Sequence, residues 1–306
     1  MKVLITGGAG FIGHNAAIFL KSVGFEVTAF DNLKRSAESA INRLHVSGVP
    51  IVKGEVLNAV TLKKALKGVD VVVHAAAYVS IRESMRKPAL YFRNNVEGTA
   101  NVAKACLDNG VKLMIYLSSA AVYGEPASLP VSETHPTNPT SPYGLSKLMG
   151  EEVVRFYSKY GLKYVILRLF NVYGFGQSKA YAGVITRFIE RAVKGLPPII
   201  YGDGNQTRDF IHVNDVSEAI KRAIENNVVN ETLNIGSGVP TKIRDLAELV
   251  MKITKLNRKP IYRGPRIGDI KHIYANISKA ESLMGFKPRI NLNEGLKELI
   301  EAKLTG

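Results

Sequence analysis

The sequence holds a single cysteine, Cys106, so it can close no intramolecular disulfide and cannot assemble a Cys-rich zinc site. Its thiol is expected to be a small, buried, apolar side chain. No stretch of about 18 uninterrupted apolar residues occurs, which argues against a transmembrane helix. The opening Met1-Lys2-Val3-Leu4-Ile5 faintly suggests a signal peptide, but Gly7, Gly8, Gly10 and Gly13 interrupt the apolar stretch where it should be continuous. A cytoplasmic enzyme that begins directly with its fold is the expectation. Repeats and low-complexity segments are also missing.

Acidic residues are scarce, with 26 Asp+Glu against 41 Lys+Arg and a formal net charge of +15. Such an excess suits a nucleic acid, an anionic membrane or a phosphate-bearing small molecule. The basic residues cluster only loosely (Lys63/Lys64/Lys67 and Lys252/Lys255/Arg258/Lys259), without a run of five, which is the pattern of a solvated surface. Neither a nucleic acid nor a membrane is expected as a partner. What is present is 306 residues, 46% hydrophobic and 22% charged, enough for one large or two ordinary domains with a substantial core. That balance excludes a disordered tail, a coiled coil and a disulfide-stapled mini-protein.

Short β-branched runs alternate with longer amphipathic segments through the first half of the chain. The pattern predicts strands over residues 2–6, 26–30, 50–53, 69–74, 113–117 and 164–169, and helices over 11–23, 61–66, 91–108 and 143–160. With right-handed crossovers these make an α/β doubly wound parallel sheet of the Rossmann kind. After about residue 170 the rhythm loosens: short strands at 198–201 and 233–235 are separated by helices at 216–225 and 243–254, punctuated by Pro and Gly. Residues 1–170 therefore read as a nucleotide-binding domain, and 171–306 mainly as a smaller mixed α/β substrate lobe, with the chain free to cross back to the sheet.

The first strand runs into Thr6-Gly7-Gly8-Ala9-Gly10-Phe11-Ile12-Gly13 and then a helix. Gly7-x-x-Gly10-x-x-Gly13 allows a tight turn and lets backbone N–H groups approach a pyrophosphate at the helix N-terminus. Asp31 ends the second strand eighteen residues after Gly13, where a carboxylate can accept both hydroxyls of a ribose. A 2′-phosphate would be repelled there, so NAD is favoured over NADP, with Lys34 and Arg35 the nearby cations that weigh the other way.

Tyr143 and Lys147 stand four residues apart, on one face of the helix that begins there. An ammonium beside a phenol, together with the positive nicotinamide ring, is expected to lower the phenol from its ordinary value of about 10 and make Tyr143 a usable base. Ser118-Ser119 follows the fifth strand at the sheet's carboxyl edge, where such sheets bind ligands. The Ser119 hydroxyl can donate to a substrate oxygen or accept from it.

At these residues the chain resembles the extended short-chain dehydrogenases/reductases, specifically their NAD-dependent nucleotide-sugar epimerase/dehydratase group. The resemblance spans essentially the whole chain. It also takes in Asp31-Asn32, His74-Ala75-Ala76-Ala77, Asn95-Val96-Glu97-Gly98-Thr99, Ser141-Pro142-Tyr143, Arg168 to Gly174, Gly202-Asp203-Gly204, Arg208-Asp209-Phe210, and Arg266 with Gly268-Asp269. It implies NAD as cofactor, a UDP-sugar as substrate, no metal, and a homodimer formed by the helices at 91–108 and 143–160. The implied catalytic residues are Ser119, Tyr143 and Lys147, with Lys147 also on the nicotinamide ribose. NAD would further meet Gly7, Gly10, Phe11, Ile12, Gly13, Asp31, Asn32, Glu55, Val56, Ala75, Ala76, Ala77, Asn95, Ser118, Tyr143 and Phe170.

For the substrate, the resemblance implies Asn171 and Arg208 on the diphosphate, with Arg266 as a further clamp on the diphosphate and ribose. Tyr201 would lie against uracil and Asp269 on the ribose, and Ser84, Ser119 and Val184 would complete the site. Guanidinium groups fork onto phosphate and a flat ring offers a stacking face, which agrees with those roles. The chain departs from the family at Glu55, where aspartate is usual, and at His14, Asn15, Leu117 and Asn276.

Sugar dehydratases of this family carry an acidic pair after the active serine or threonine, and the UDP-glucuronate decarboxylases a glutamate. Here the two positions are Ala120 and Ala121, without a proton carrier. The 3,5-epimerases use a cysteine nearby, whereas Cys106 belongs to the preceding helix. The implied reaction is 4-epimerisation of a UDP-hexose, UDP-glucose to UDP-galactose, through a 4-keto sugar and bound NADH. Two alternatives stay open: a 4-epimerase of an N-acetylated or uronate UDP-sugar, and a non-catalytic NAD-binding scaffold, which the presence of Ser119, Tyr143 and Lys147 disfavours.

Overall fold

Each apolar run in the first half splits its side chains between two covered faces, as a strand between layers of helix must. In β1 (Lys2–Thr6), Val3 and Ile5 enter one core and Leu4 the other. The computed structural model describes residues 1–177, 183–265 and 270–305. Its main sheet runs β10 (Glu231–Ile235), β6 (Tyr164–Leu169), β5 (Leu113–Ser119), β4 (Val71–His74), β1, β2 (Glu26–Asp31) and β3 (Ile51–Lys53), each neighbouring pair parallel. The order reverses direction between β1 and β4, and the crevice at the carboxyl ends of those two strands is where such a sheet receives a ligand.

One face is covered by α1 (Phe11–Ser22), α2 (Glu38–Val46) and α9 (Val213–Glu225), through Ala17, Leu20, Leu44 and Ile220. The other is covered by α3 (Ala59–Ala65), α6 (Gly98–Asp108) and α7 (Pro142–Ser158), through Leu62, Val102 and Val154. Cys106 is fully buried in this second core, and burial pushes its thiol far above the usual range.

The helix predicted over 91–108 is present, begins a few residues earlier at Pro88 and contains a π-turn. Two short helices, α4 (Ile81–Arg86) and α5 (Pro88–Phe92), flank Lys87, whose backbone is forced out of helical geometry by the following proline. A π-turn over Arg93–Glu97 then leads into α6. The helix α2 has no counterpart in the sequence reading.

Beyond residue 170, β7 (Asn171–Tyr173), β9 (Thr207–His212) and β11 (Pro240–Lys242) form a three-stranded sheet, and β8 (Ile199–Tyr201) pairs with β12 (Ile261–Arg263). These pack with α8 (Val184–Ala192), α10 (Ile243–Ile253) and α12 (Leu292–Thr305) around Phe188, Ile200, Leu246 and Leu296. A short helix, α11 (Ser278–Met284), lies against β10. Two elements of this half return to the main sheet: α9 packs on α1, and β10 pairs with β6 in register Leu233 to Leu167. No helix among the described residues is long and apolar enough to cross a membrane.

Candidate active site

The β1–α1 turn builds one end of the site. Gly7 has φ of +67°, and a Cβ there would come within 2.6 Å of the Ala76 backbone nitrogen. Gly13 lets the helix pack onto the turn, since a Cβ on it would lie 2.1 Å from the Gly7 carbonyl oxygen. Gly10 is different. It would be crowded only mildly, at 3.1 Å, and it borders an open cleft at the start of α1. No described side chain caps α1 and its first turn has no acidic residue, so its N–H groups and positive dipole end are available to an anion.

That cleft, of about 230 Å³, is lined by Gly7, Gly10, Phe11, Ile12, Gly13, Asp31, Asn32, Glu55, Val56, Ala75, Ala76 and Ala77. All twelve were named from the sequence. Asp31 is oriented for a ligand: its carboxylate accepts from the backbone of Ala9 at 3.1 Å and Leu33 at 2.8 Å, and from the Ser36 hydroxyl at 3.2 Å. Glu55 pairs with Lys34, which raises the lysine's pKa. The cleft also takes in Arg35, Tyr78 and Gln177, which the sequence reading did not select. Arg35 had a signal in its place four residues after Asp31; Gln177 had none.

Three of the residues named with these are buried and do not line the cleft. Asn95, in the π-turn, is buried with its amide bonded to both the N–H and the carbonyl of Tyr78, at 2.9 and 3.0 Å, and to the Ser146 hydroxyl at 2.9 Å. Ser118 is buried and donates to Glu151 at 2.6 Å. Phe170 is packed among Ala120, Val122 and Tyr123.

The second end of the site is made where α7 meets the turn after β5. Ser141 caps α7, accepting from the Gly144 N–H at 3.1 Å, and Pro142 starts the helix, which puts Tyr143 in its first turn. Gly144 permits the approach, because a Cβ there would lie 2.6 Å from the Ala121 carbonyl oxygen. Ser119, last in β5, accepts from the Ala121 N–H at 3.2 Å, and its hydroxyl draws down the pKa of the Tyr143 phenol. Tyr91 packs edge-on against the Tyr143 ring with centroids 6.5 Å apart.

Electrostatics here differ from the sequence expectation. Burial pushes the Tyr143 phenol above its ordinary value, and the Ser119 hydroxyl offsets this only in part. Lys147 carries the larger adjustment. It is buried, its ammonium 4.2 Å over the Tyr116 ring, and burial brings it down to about 7 against the opposing pull of Glu151. Behind it, burial disfavours the Glu151 carboxylate, but Arg168 (2.7 and 2.9 Å), Ser118 and Arg155 outweigh that and hold it below the usual carboxylate range. His74 is buried between the hydroxyls of Thr6 at 2.6 Å and Thr99 at 3.0 Å, and burial followed by the Lys147 charge lowers it to about 3.

The remaining named residues are more dispersed. Asn171 is exposed at the start of β7, in register with Phe210 of β9, and Arg208 of β9 is half-buried, donating to the Thr207 carbonyl at 2.8 Å. Tyr201 ends β8, Val184 opens α8, and Ser84 is buried in α4 with its hydroxyl donating to the Ile81 carbonyl at 2.7 Å. Arg266 and Asp269 lie outside the described residues. A missed residue is Asp209, whose carboxylate accepts from the N–H groups of Ser237, Gly238 and Ala275 at 2.6 to 3.0 Å and fixes the strand that carries Arg208.

Fold and site together define a nucleotide-dependent enzyme of the short-chain dehydrogenase/reductase class: a cleft at the carboxyl edge of the sheet whose lining does not include Ser119, Tyr143 or Lys147, and those three residues at the end of β5 and in α7. The chain belongs to the NAD dependent epimerase/dehydratase family, whose model matches residues 3–236. A putative UDP-glucose 4-epimerase of Methanocaldococcus jannaschii is 42% identical, over 97% of each chain. Among solved structures, UDP-glucose 4-epimerase of Thermotoga maritima with UDP-glucose superposes at a TM-score of 0.94 with 34% identity, covering 100% of this chain and 99% of its own. A UDP-N-acetylglucosamine 4-epimerase of Methanobrevibacter ruminantium does so at 0.93 with 36% identity, covering 99% and 98%. The cofactor is NAD, and the uncapped α1 terminus, the cleft and Asp31 fit its pyrophosphate and ribose diol.

Proposed function

We propose that the protein is a UDP-hexose 4-epimerase that interconverts UDP-glucose and UDP-galactose. The observation that carries this reading is the placing of Ser119, at the end of β5, and Tyr143, in the first turn of α7, beside Ala120 and Ala121. Serine and tyrosine are a couple able to move the proton of one sugar hydroxyl, accompanied by two residues that carry no proton for expelling water. NAD, when bound, supplies a hydride acceptor and donor. Tyr143 takes the proton of the sugar 4-hydroxyl and later returns it to the 4-keto oxygen, while Ser119 donates a hydrogen bond to that oxygen. Lys147 supplies positive charge beside the phenolate, and a group that titrates at about 7 also holds or releases a proton at working pH. The 4-keto sugar turns in the site and is reduced on its other face.

In this reading Asn171, Arg208, Tyr201, Arg266 and Asp269 hold the UDP portion. Leu145, Met149, Phe156 and Tyr160, exposed along one side of α7 and just past its end, pair two copies into a homodimer. A second substrate, an N-acetylated UDP-hexose, is supported by the Methanobrevibacter protein, which matches this chain as well as the Thermotoga one does.

Purified protein incubated with UDP-glucose deuterated at C4, and separately with UDP-N-acetylglucosamine, tests both. Chromatography should resolve the C4 epimer, and mass spectrometry should find it unchanged in mass with the deuterium retained. A loss of eighteen mass units, or deuterium passing into added NAD, would defeat the epimerase reading. Turnover of the acetylated sugar alone would replace the first substrate by the second.

A further inference from the structure

Asp31 is followed within four residues by two cations, Lys34 and Arg35. In a cleft that ends at a ribose, a nearby arginine is the group that accommodates a 2′-phosphate, because its planar fork matches the phosphate oxygens. Both cations are held by carboxylates from other parts of the chain. Lys34 pairs with Glu55 at the surface. Arg35, which lines the cleft, donates from Nη1 and Nη2 to Glu83 Oε2 and Oε1 at 2.8 and 3.0 Å.

The Arg35–Glu83 pair is not a loose surface contact. Its side chains are only 31% and 18% exposed, and the guanidinium lies 3.9 Å over the Tyr78 ring. Glu83 is itself fixed, with its backbone N–H on the Ser80 hydroxyl at 3.1 Å and its carboxylate accepting from the Tyr91 hydroxyl at 3.1 Å. A bidentate pair with one partner so constrained is expensive to break, and a phosphate competing for Arg35 would have to break it.

We propose that Glu83 is a specificity-determining residue: by holding Arg35 against Tyr78 it withholds the cation a 2′-phosphate needs, and so leaves Asp31 to select the ribose diol. The chain thus carries an NADP-accepting arginine in a latent form. The inference rests on NAD binding by the family and not on which sugar is turned over.

Glu83→Gln tests it, since the amide keeps the shape and an acceptor for Tyr91 while losing the charge. Nucleotide-free protein is titrated calorimetrically with NAD and with NADP at low and high salt. The ratio of NADP to NAD affinity should rise about tenfold, the gain should shrink as salt screens a phosphate–guanidinium contact, and Arg35→Ala in the same background should abolish it. Glu83→Ser gives the same comparison should the glutamine variant fold poorly. An unchanged ratio in a variant that still binds NAD and unfolds cooperatively overturns the proposal, as does a gain that survives Arg35→Ala.

Discussion

The hydroxyl of Tyr116 occupies the space where Gly150 would carry a side chain: a Cβ on Gly150 would stand 2.1 Å from that oxygen. The same ring lies beneath the Lys147 ammonium, and its hydroxyl donates to the Lys147 carbonyl at 3.3 Å. Gly150 is therefore part of the seat of Lys147, one turn further along α7. Gly150→Ala should destabilise the fold by about 1–3 kcal/mol through overpacking and should lower turnover by displacing Lys147. Tyr116→Phe added to it should recover part of the stability, because the nearest clash is with the oxygen. Urea unfolding of the single and double variants checks this, and a double variant no more stable than Gly150→Ala would contradict it.

Glu151 is fully buried and holds Arg168, which is nearly so, through two hydrogen bonds. Removing one partner leaves the other charged in a dry environment. Glu151→Met and Arg168→Met should each cost about 3–5 kcal/mol, and the two together should cost clearly less than the sum. A double-mutant cycle by chemical denaturation measures the coupling; additive losses would mean that the pair is not a unit.

His74 gives a pH dependence with a definite sign. Its folded pKa, about 3, lies below the ordinary 6.5, so the native state keeps it neutral. Its contribution to stability is full above pH 6.5 and is lost as the pH falls from there toward 3, at up to about 1.4 kcal/mol per unit. His14, lowered to about 4 by burial, acts in the same direction. In His74→Gln, the difference in unfolding free energy from the native sequence should narrow between pH 7 and pH 4.5. Parallel pH profiles would remove His74 from that role.

How much was legible follows the range of each interaction. The glycine turn, Asp31 and the Tyr143–Lys147 pair are local patterns, readable before any strand is placed. Arg35 and Glu83 are 48 residues apart and meet only once β2 and the segment after β4 flank one crevice. The strands β7 and β11 have three residues each, too few to show a period, and β9 reads Thr-Arg-Asp-Phe-Ile-His, as polar as a loop. In α2 the inward positions are only Ala40, Ile41 and Leu44, a weak stripe. The phenol of Tyr143 shifts opposite to expectation because spacing puts an ammonium on the same helix face but does not reveal the burial of the phenol, in which Lys147 is not among the groups that shift it.

The last strand of the main sheet has a consequence for how the chain is made. β6 is buried along its whole length, and its outer edge is covered by β10, which is encoded after β7, β8 and β9. A ribosome that has released Leu169 has produced an apolar strand with one row of hydrogen-bonding groups unanswered. Leu233 and its neighbours answer them only after β7, α8, β8, β9 and α9 have been synthesised. Through that interval the nascent chain offers a ready template for another strand, so arrest or truncation there exposes an adhesive edge that the finished molecule never shows.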